Sequence, residues 1–157
     1  MAQIPGTEFD FFFGDWDVQH HRLITRLAEA DDWQEFSGVT SVQPILGGNG
    51  NMDDNLINLS GSPYRAISLR TYNPSIQKWA IWWLDGRTSH DLDVPVIGQF
   101  EDGIGTFIAN DTFDAQPIRM RFTWTKTETE TPRWEQAFSS DDGVTWEINW
   151  IMNFKRK

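Results

Sequence analysis

The 157-residue chain contains no cysteine. That excludes disulfide bridges, thiolate metal sites and a cysteine nucleophile, so stability must rest on packing. Histidine is scarce too: His20, His21 and His90 are the full set, which leaves little from which to build an imidazole metal centre. No apolar run approaches the roughly 20 residues that a membrane-spanning helix needs, and the opening residues lack the basic and apolar regions of a secretory signal. Basic residues are outnumbered, 13 Lys and Arg against 23 Asp and Glu, giving a formal charge of -10. Such a surface repels phosphate backbones and anionic lipid, so neither nucleic acid nor a membrane is expected as a partner, and the expected compartment is the cytoplasm. Glycine-rich phosphate loops and dinucleotide fingerprints are also missing, and no cofactor or metal is expected.

What the chain has in quantity is aromatic side chain, with nine Trp and eleven Phe. Large flat side chains in such number either fill a core or line a ligand pocket. Period-two alternation recurs from residue 14 onward, broken at short intervals by turn residues, while no later segment carries a helical period. Ten strands are expected, at about 15–27, 33–43, 51–59, 64–72, 77–84, 96–101, 104–110, 117–126, 133–139 and 144–155. Connections as short as Asn73-Pro74-Ser75 and Glu101-Asp102-Gly103 force antiparallel neighbours. The expected fold is all-β: one domain over 1–157, a closed antiparallel up-and-down barrel of about ten strands. The aromatic opening, Phe9-Asp10-Phe11-Phe12-Phe13, is expected to form a short helical turn over one end.

Side-chain alternation assigns faces. In the last strand Val144, Trp146, Ile148, Trp150, Met152 and Phe154 are expected inside. In the eighth, Ile118, Met120, Phe122 and Trp124 face inward while Arg119 and Arg121 face solvent, within reach of Glu128, Glu130 or Glu135. In the first, Trp16, Val18, His20 and Arg22 share a face. The fifth strand, Trp79-Ala80-Ile81-Trp82-Trp83-Leu84, is apolar on both sides, and an apolar outer face points to a homodimer through this strand.

Gly14-Asp15-Trp16 at the start of the first strand resembles the Gly-x-Trp signature of lipocalins and their relatives, in which an Arg such as Arg156 packs on the Trp at the closed end. Runs such as Pro95-Val96-Ile97-Gly98-Gln99-Phe100 and Arg133-Trp134-Glu135-Gln136-Ala137-Phe138-Ser139 resemble a bacterial lipocalin-like (calycin) family of unknown function. The resemblance implies a barrel with an internal pocket, often dimeric, and brings no catalytic residues. Separately, Ser139-Ser140-Asp141-Asp142-Gly143-Val144-Thr145-Trp146 is similar to the Asp-box hairpin of sialidases. There the box is a turn remote from the catalytic centre, and a sialidase propeller needs a far longer chain.

His20 and His21 point to opposite faces of a strand and cannot grip one metal ion together. Haem, were it held, would need His20 or His90. The polar segment 85–95 is the longest connection, and its His90 and Asp91 are expected to gate the pocket rather than form part of a triad with Ser89, since triad members meet through tertiary geometry. The leading expectation is a barrel binding a small hydrophobic molecule among Trp16, His20, Phe122, Trp124, Trp146 and Trp150, with His20 as the polar reference. The alternatives are a cofactor-independent enzyme of the cyclase, isomerase or hydratase type, and a scaffold whose interior is filled by its own side chains.

Overall fold

The computed structural model of the protein describes residues 4–157. Ten strands follow one another: β1 (Gly14–Leu23), β2 (Trp33–Ile45), β3 (Gly50–Ile57), β4 (Tyr64–Asn73), β5 (Lys78–Asp85), β6 (Val96–Glu101), β7 (Ile104–Phe113), β8 (Gln116–Thr125), β9 (Arg133–Ser139) and β10 (Glu147–Arg156). Each pairs antiparallel with its sequence neighbours, and β1 also pairs with β10, Val18 opposite Phe154, so the sheet closes into a barrel, its shortest seam being the three pairs from Trp79 to Ile81 that join β5 to β6. The expected up-and-down barrel is therefore the fold. Among the described residues no helix is long and apolar enough to cross a membrane.

One end of the barrel is plugged by its own opening segment. A 3-10 turn at Asp10–Phe12 sets Phe9 and Phe12, each 1% exposed, edge-on to Trp124. The Trp16 indole donates to the Phe12 carbonyl at 2.8 Å. Arg156 lies 4.0 Å over the Trp16 ring and donates to the carbonyls of Phe11 and Phe13, tying the plug to the last strand. The opposite end carries the connections 24–32, 58–63, 86–95 and 140–146.

Three sequence expectations need correction. The first strand ends at Leu23, not near 27, because Thr25 bonds through both its N–H and its hydroxyl to Asp32, and Leu27 takes a left-handed φ of 57° that no strand accommodates. The last strand begins at Glu147 and carries a β-bulge between Ile148 and Trp150. An extra residue inverts the alternation upstream of it, so Trp150, Met152 and Phe154 point inward as expected, while Val144 is 80% exposed and Ile148 lies outside. Trp146 also stands outside the wall, where the Arg121 guanidinium sits 4.3 Å over its ring. Arg119 and Arg121 face outward as expected, but Arg119 pairs with Asp142 at 3.0 Å, and Glu135 bonds Arg133 instead.

The turn before β10 is held by side chains. Asp141 accepts from the Thr145 N–H at 2.8 Å and from its hydroxyl, and Ser139 donates to Asp141 at 2.8 Å. Gly143 adopts a φ of 88°, which glycine tolerates without a Cβ clash, and its carbonyl receives the Trp146 indole N–H at 3.1 Å.

Candidate functional site

The interior has two unlike walls. β8 to β10 contribute Phe122, Trp124, Trp134, Trp150, Met152 and Phe154, all buried. β3 and β4 contribute Asn51, Asp53, Asn55, Ser68 and Arg70, equally buried. Alternation on these two strands points the other way, since Met52, Leu56, Ile67 and Leu69 are the apolar members, yet they lie half-buried on the outer face. The polar set is inside because its members satisfy one another.

Asp53 organises it. One carboxylate oxygen accepts from the Ser68 N–H at 2.8 Å and the Asn55 amide at 2.7 Å; the other accepts from Arg70 at 2.5 Å. Arg70 donates a second bond to Asn51 at 2.9 Å, and its guanidinium lies 5.2 Å from the ring centres of both Phe9 and Phe12. Both members of this ion pair are only 4% exposed. A buried pair of this kind is a poor source of stability, since well-packed apolar residues in its place are often as stable or more so. Among the described residues the Arg70 Nε has no hydrogen-bond partner, and no bond is made by the Ser68 hydroxyl.

Between the two walls lies a cavity of about 20 Å³, bounded by Asp53, Asn55, Ser68 and Arg70 on one side and by Trp83, Phe122, Trp124 and Trp134 on the other. That is space for a water molecule or two. Of its lining residues, Trp83 alone is not fully buried. Trp83 and Trp134 both meet Trp150 edge-on, at 5.6 and 5.5 Å between ring centres. The Asp93 N–H donates to the Trp83 carbonyl at 3.3 Å, fastening connection 86–95 to the strand that carries this indole.

Beyond Trp150 the barrel mouth is lined by cations and aromatics. Arg22 lies 4.5 Å over the Trp150 ring and donates to the Tyr64 hydroxyl at 3.1 Å. Arg87, bidentate to Asp85, stacks 3.7 Å over Tyr64. Burial, with Arg22 nearby, pushes the Arg26 guanidinium down to about 10. Leu27 packs against the core and donates its N–H to Glu147 at 2.7 Å, so connection 24–32 folds over the opening.

Of the residues singled out in the sequence, Phe122 and Trp124 line the cavity. Trp150 stands behind them and Trp16 belongs to the plugged end. His20 is 1% exposed but does not line the cavity: its Nδ1 accepts from the Trp150 indole at 3.0 Å, and its ring stacks on Phe36 at 4.8 Å. A Cβ at Gly38 would lie 2.8 Å from the His20 Nε2, so glycine there makes room for the ring. Burial, with Arg22 and His21 adding repulsion, lowers the His20 pKa to about 3 and keeps the imidazole neutral. His90 and Asp91 are exposed on connection 86–95. Among the described residues no group of three or more potential ligands is placed to hold a metal. The polar wall is the part that sequence reasoning missed; the recurrence of Asn51, Asp53 and Asn55 at period two was its only signal.

No protein-family model matches the chain, and no curated protein matches it in sequence.

Proposed function

We propose that the protein is a lipocalin-like barrel that binds a small, largely apolar molecule between the aromatic wall of β8 to β10 and the polar wall of β3 and β4. The observation that carries this reading is the Asp53–Arg70 pair, buried beside a cavity and left with unused hydrogen-bonding capacity. Stability alone does not call for such a pair. A ligand enters past Trp83, the one lining residue that is not buried. Connection 86–95, tied to the Trp83 backbone, moves with it. The test is intrinsic tryptophan emission against a panel of small cyclic alcohols, ketones, acids, sterols and flavonoids, together with mass spectrometry of molecules extracted from the purified protein. Saturable quenching by a member of the panel supports the reading, whereas a silent panel and an empty extract support a side-chain-filled scaffold.

The working form proposed here is a homodimer. Outward residues Met52, Leu69 and Trp82 are successive cross-strand partners on β3, β4 and β5, flanked by Leu56, Ile67, Ala80 and Leu84. Ile97 and Ile108 extend the apolar band across β6 and β7 at 46% and 37% exposure. A two-fold contact requires only this one patch and sets few of the chain's acidic groups against each other.

A further inference from the structure

Resting on the binding reading above, we infer that the polar wall selects a neutral ligand, one whose polar end is a hydroxyl or a carbonyl group and not a carboxylate. The inference follows from what Asp53 and Arg70 have already spent on each other. Arg70 is the cation of the cavity wall, and its charge is met by Asp53 at 2.5 Å. An incoming carboxylate therefore finds no free positive charge on the cavity wall, the cations of the mouth lying beyond Trp150. It finds the Asp53 carboxylate, in a site where water does little to screen the repulsion.

The remaining capacity is that of neutral chemistry. Asp53 accepts two bonds at one oxygen and one at the other, and the Asn55 amide nitrogen gives its two hydrogens to Asp53 and to the Ala66 carbonyl. What remains, among the described residues, is the Ser68 hydroxyl, the Asn55 side-chain carbonyl and the Arg70 Nε–H. A ligand hydroxyl donates to the Asn55 side-chain carbonyl and accepts from Ser68 or from Arg70; a ligand carbonyl accepts from Ser68 or from Arg70. Opposite these groups Trp83, Phe122 and Trp134 offer ring faces and edges, which suits a compact ring as the ligand's body once the Trp83 indole has swung outward to enlarge the 20 Å³ cavity. The class assigned is a cyclic alcohol or ketone.

Four probes of one skeleton test this: cyclohexanol, cyclohexanone, cyclohexanecarboxylate and methylcyclohexane, titrated against the intact protein at about pH 8, where the acid is fully ionised. Tryptophan emission and the shift in melting temperature are the readouts. The alcohol or the ketone is expected to bind at least tenfold more tightly than the carboxylate. Ser68→Ala should weaken the alcohol and ketone several-fold and leave methylcyclohexane unchanged. Asp53→Asn, which frees the Arg70 charge, should reverse the order in favour of the carboxylate; should that variant fail to fold, the wild-type ranking and Ser68→Ala still decide. Carboxylate binding equal to or tighter than the alcohol in the wild type overturns the selection of a neutral group while leaving a binding barrel. If none of the four changes either readout, this inference falls, while the binding reading is decided by the wider panel and the extract.

Discussion

The indole N–H of Trp150 donates to Nδ1 of His20 at 3.0 Å, across 130 residues of sequence. This bond fixes the tautomer: Nδ1 is an acceptor, so the single proton of the neutral ring sits on Nε2, facing Gly38. Burial of the ring, with Arg22 and His21 adding repulsion, lowers its pKa to about 3, and a proton placed on Nδ1 would also destroy this bond. In the unfolded chain the same ring takes a proton near 6.5. Between those values the unfolded state holds more protons than the folded one, so stability drops as pH is lowered from about 6.5 toward 3, by up to about 1.4 kcal/mol per pH unit. Denaturant midpoints of wild type and His20→Phe measured from pH 8 to pH 4 check this. The wild type should lose stability steeply below 6.5; the variant should be flatter, and at pH 8 about 1 to 3 kcal/mol less stable because the Trp150 N–H is left buried and unpaired.

The strand count and barrel closure were legible because turn residues recur at short intervals between segments of period-two alternation. The faces of β1 and β8 were legible for the same reason: Trp16, Val18, Phe122 and Trp124 are large, apolar and two residues apart. Alternation fails at β10, where a bulge shifts the period by one and carries Trp146 to the outside. It fails more deeply at β3 and β4. There Met52, Leu56, Ile67 and Leu69 lie outside while Asn51, Asp53, Asn55, Ser68 and Arg70 lie inside, and the mutual bonds of Asp53, Asn55 and Arg70, formed across strands, make that local inversion tolerable. A one-dimensional pattern cannot register such pairing. His20 was legible as an inward histidine, but its partner came from the opposite end of the chain.

The turn at 139–146 should be acid-sensitive. Hydrogen bonds from the Thr145 hydroxyl and N–H, with one from Ser139, hold the Asp141 pKa down at about 2. A depressed carboxyl contributes stability that is fully present above about pH 4 and is lost as pH falls through 2. Asp141→Ala should therefore lower the melting temperature at pH 7 and differ little from wild type near pH 2. No glycosidase activity is expected to depend on it.

Connection 86–95 should respond in the opposite sense. Partial desolvation, with Asp111, Asp91 and Asp85 nearby, pushes the Asp93 carboxyl up to about 6. A raised carboxyl favours the folded state below about pH 4 and loses that contribution as pH rises through 6. Asp93→Asn should therefore be stabilising at pH 7 and nearly neutral at pH 4. Amide exchange at Asp93, whose N–H bonds the Trp83 carbonyl, should slow in the variant at pH 7.

Trp82 faces outward and Trp83 inward, so the two neighbours separate assembly from binding. Sedimentation of the wild type at micromolar concentration should report a dimer and Trp82→Glu a folded monomer with probe binding intact. A wild type that sediments as a monomer removes the dimer from the account.

A crystal structure of the protein soaked with cyclohexanol tests the central claim most directly. The account predicts the ring between Trp83 and Phe122, its hydroxyl within hydrogen-bond distance of Ser68 or Asn55, and the Trp83 indole displaced from the position it holds over the 20 Å³ cavity. Water alone between unmoved walls, with the alcohol absent or confined to the outer surface at saturating concentration, would contradict it.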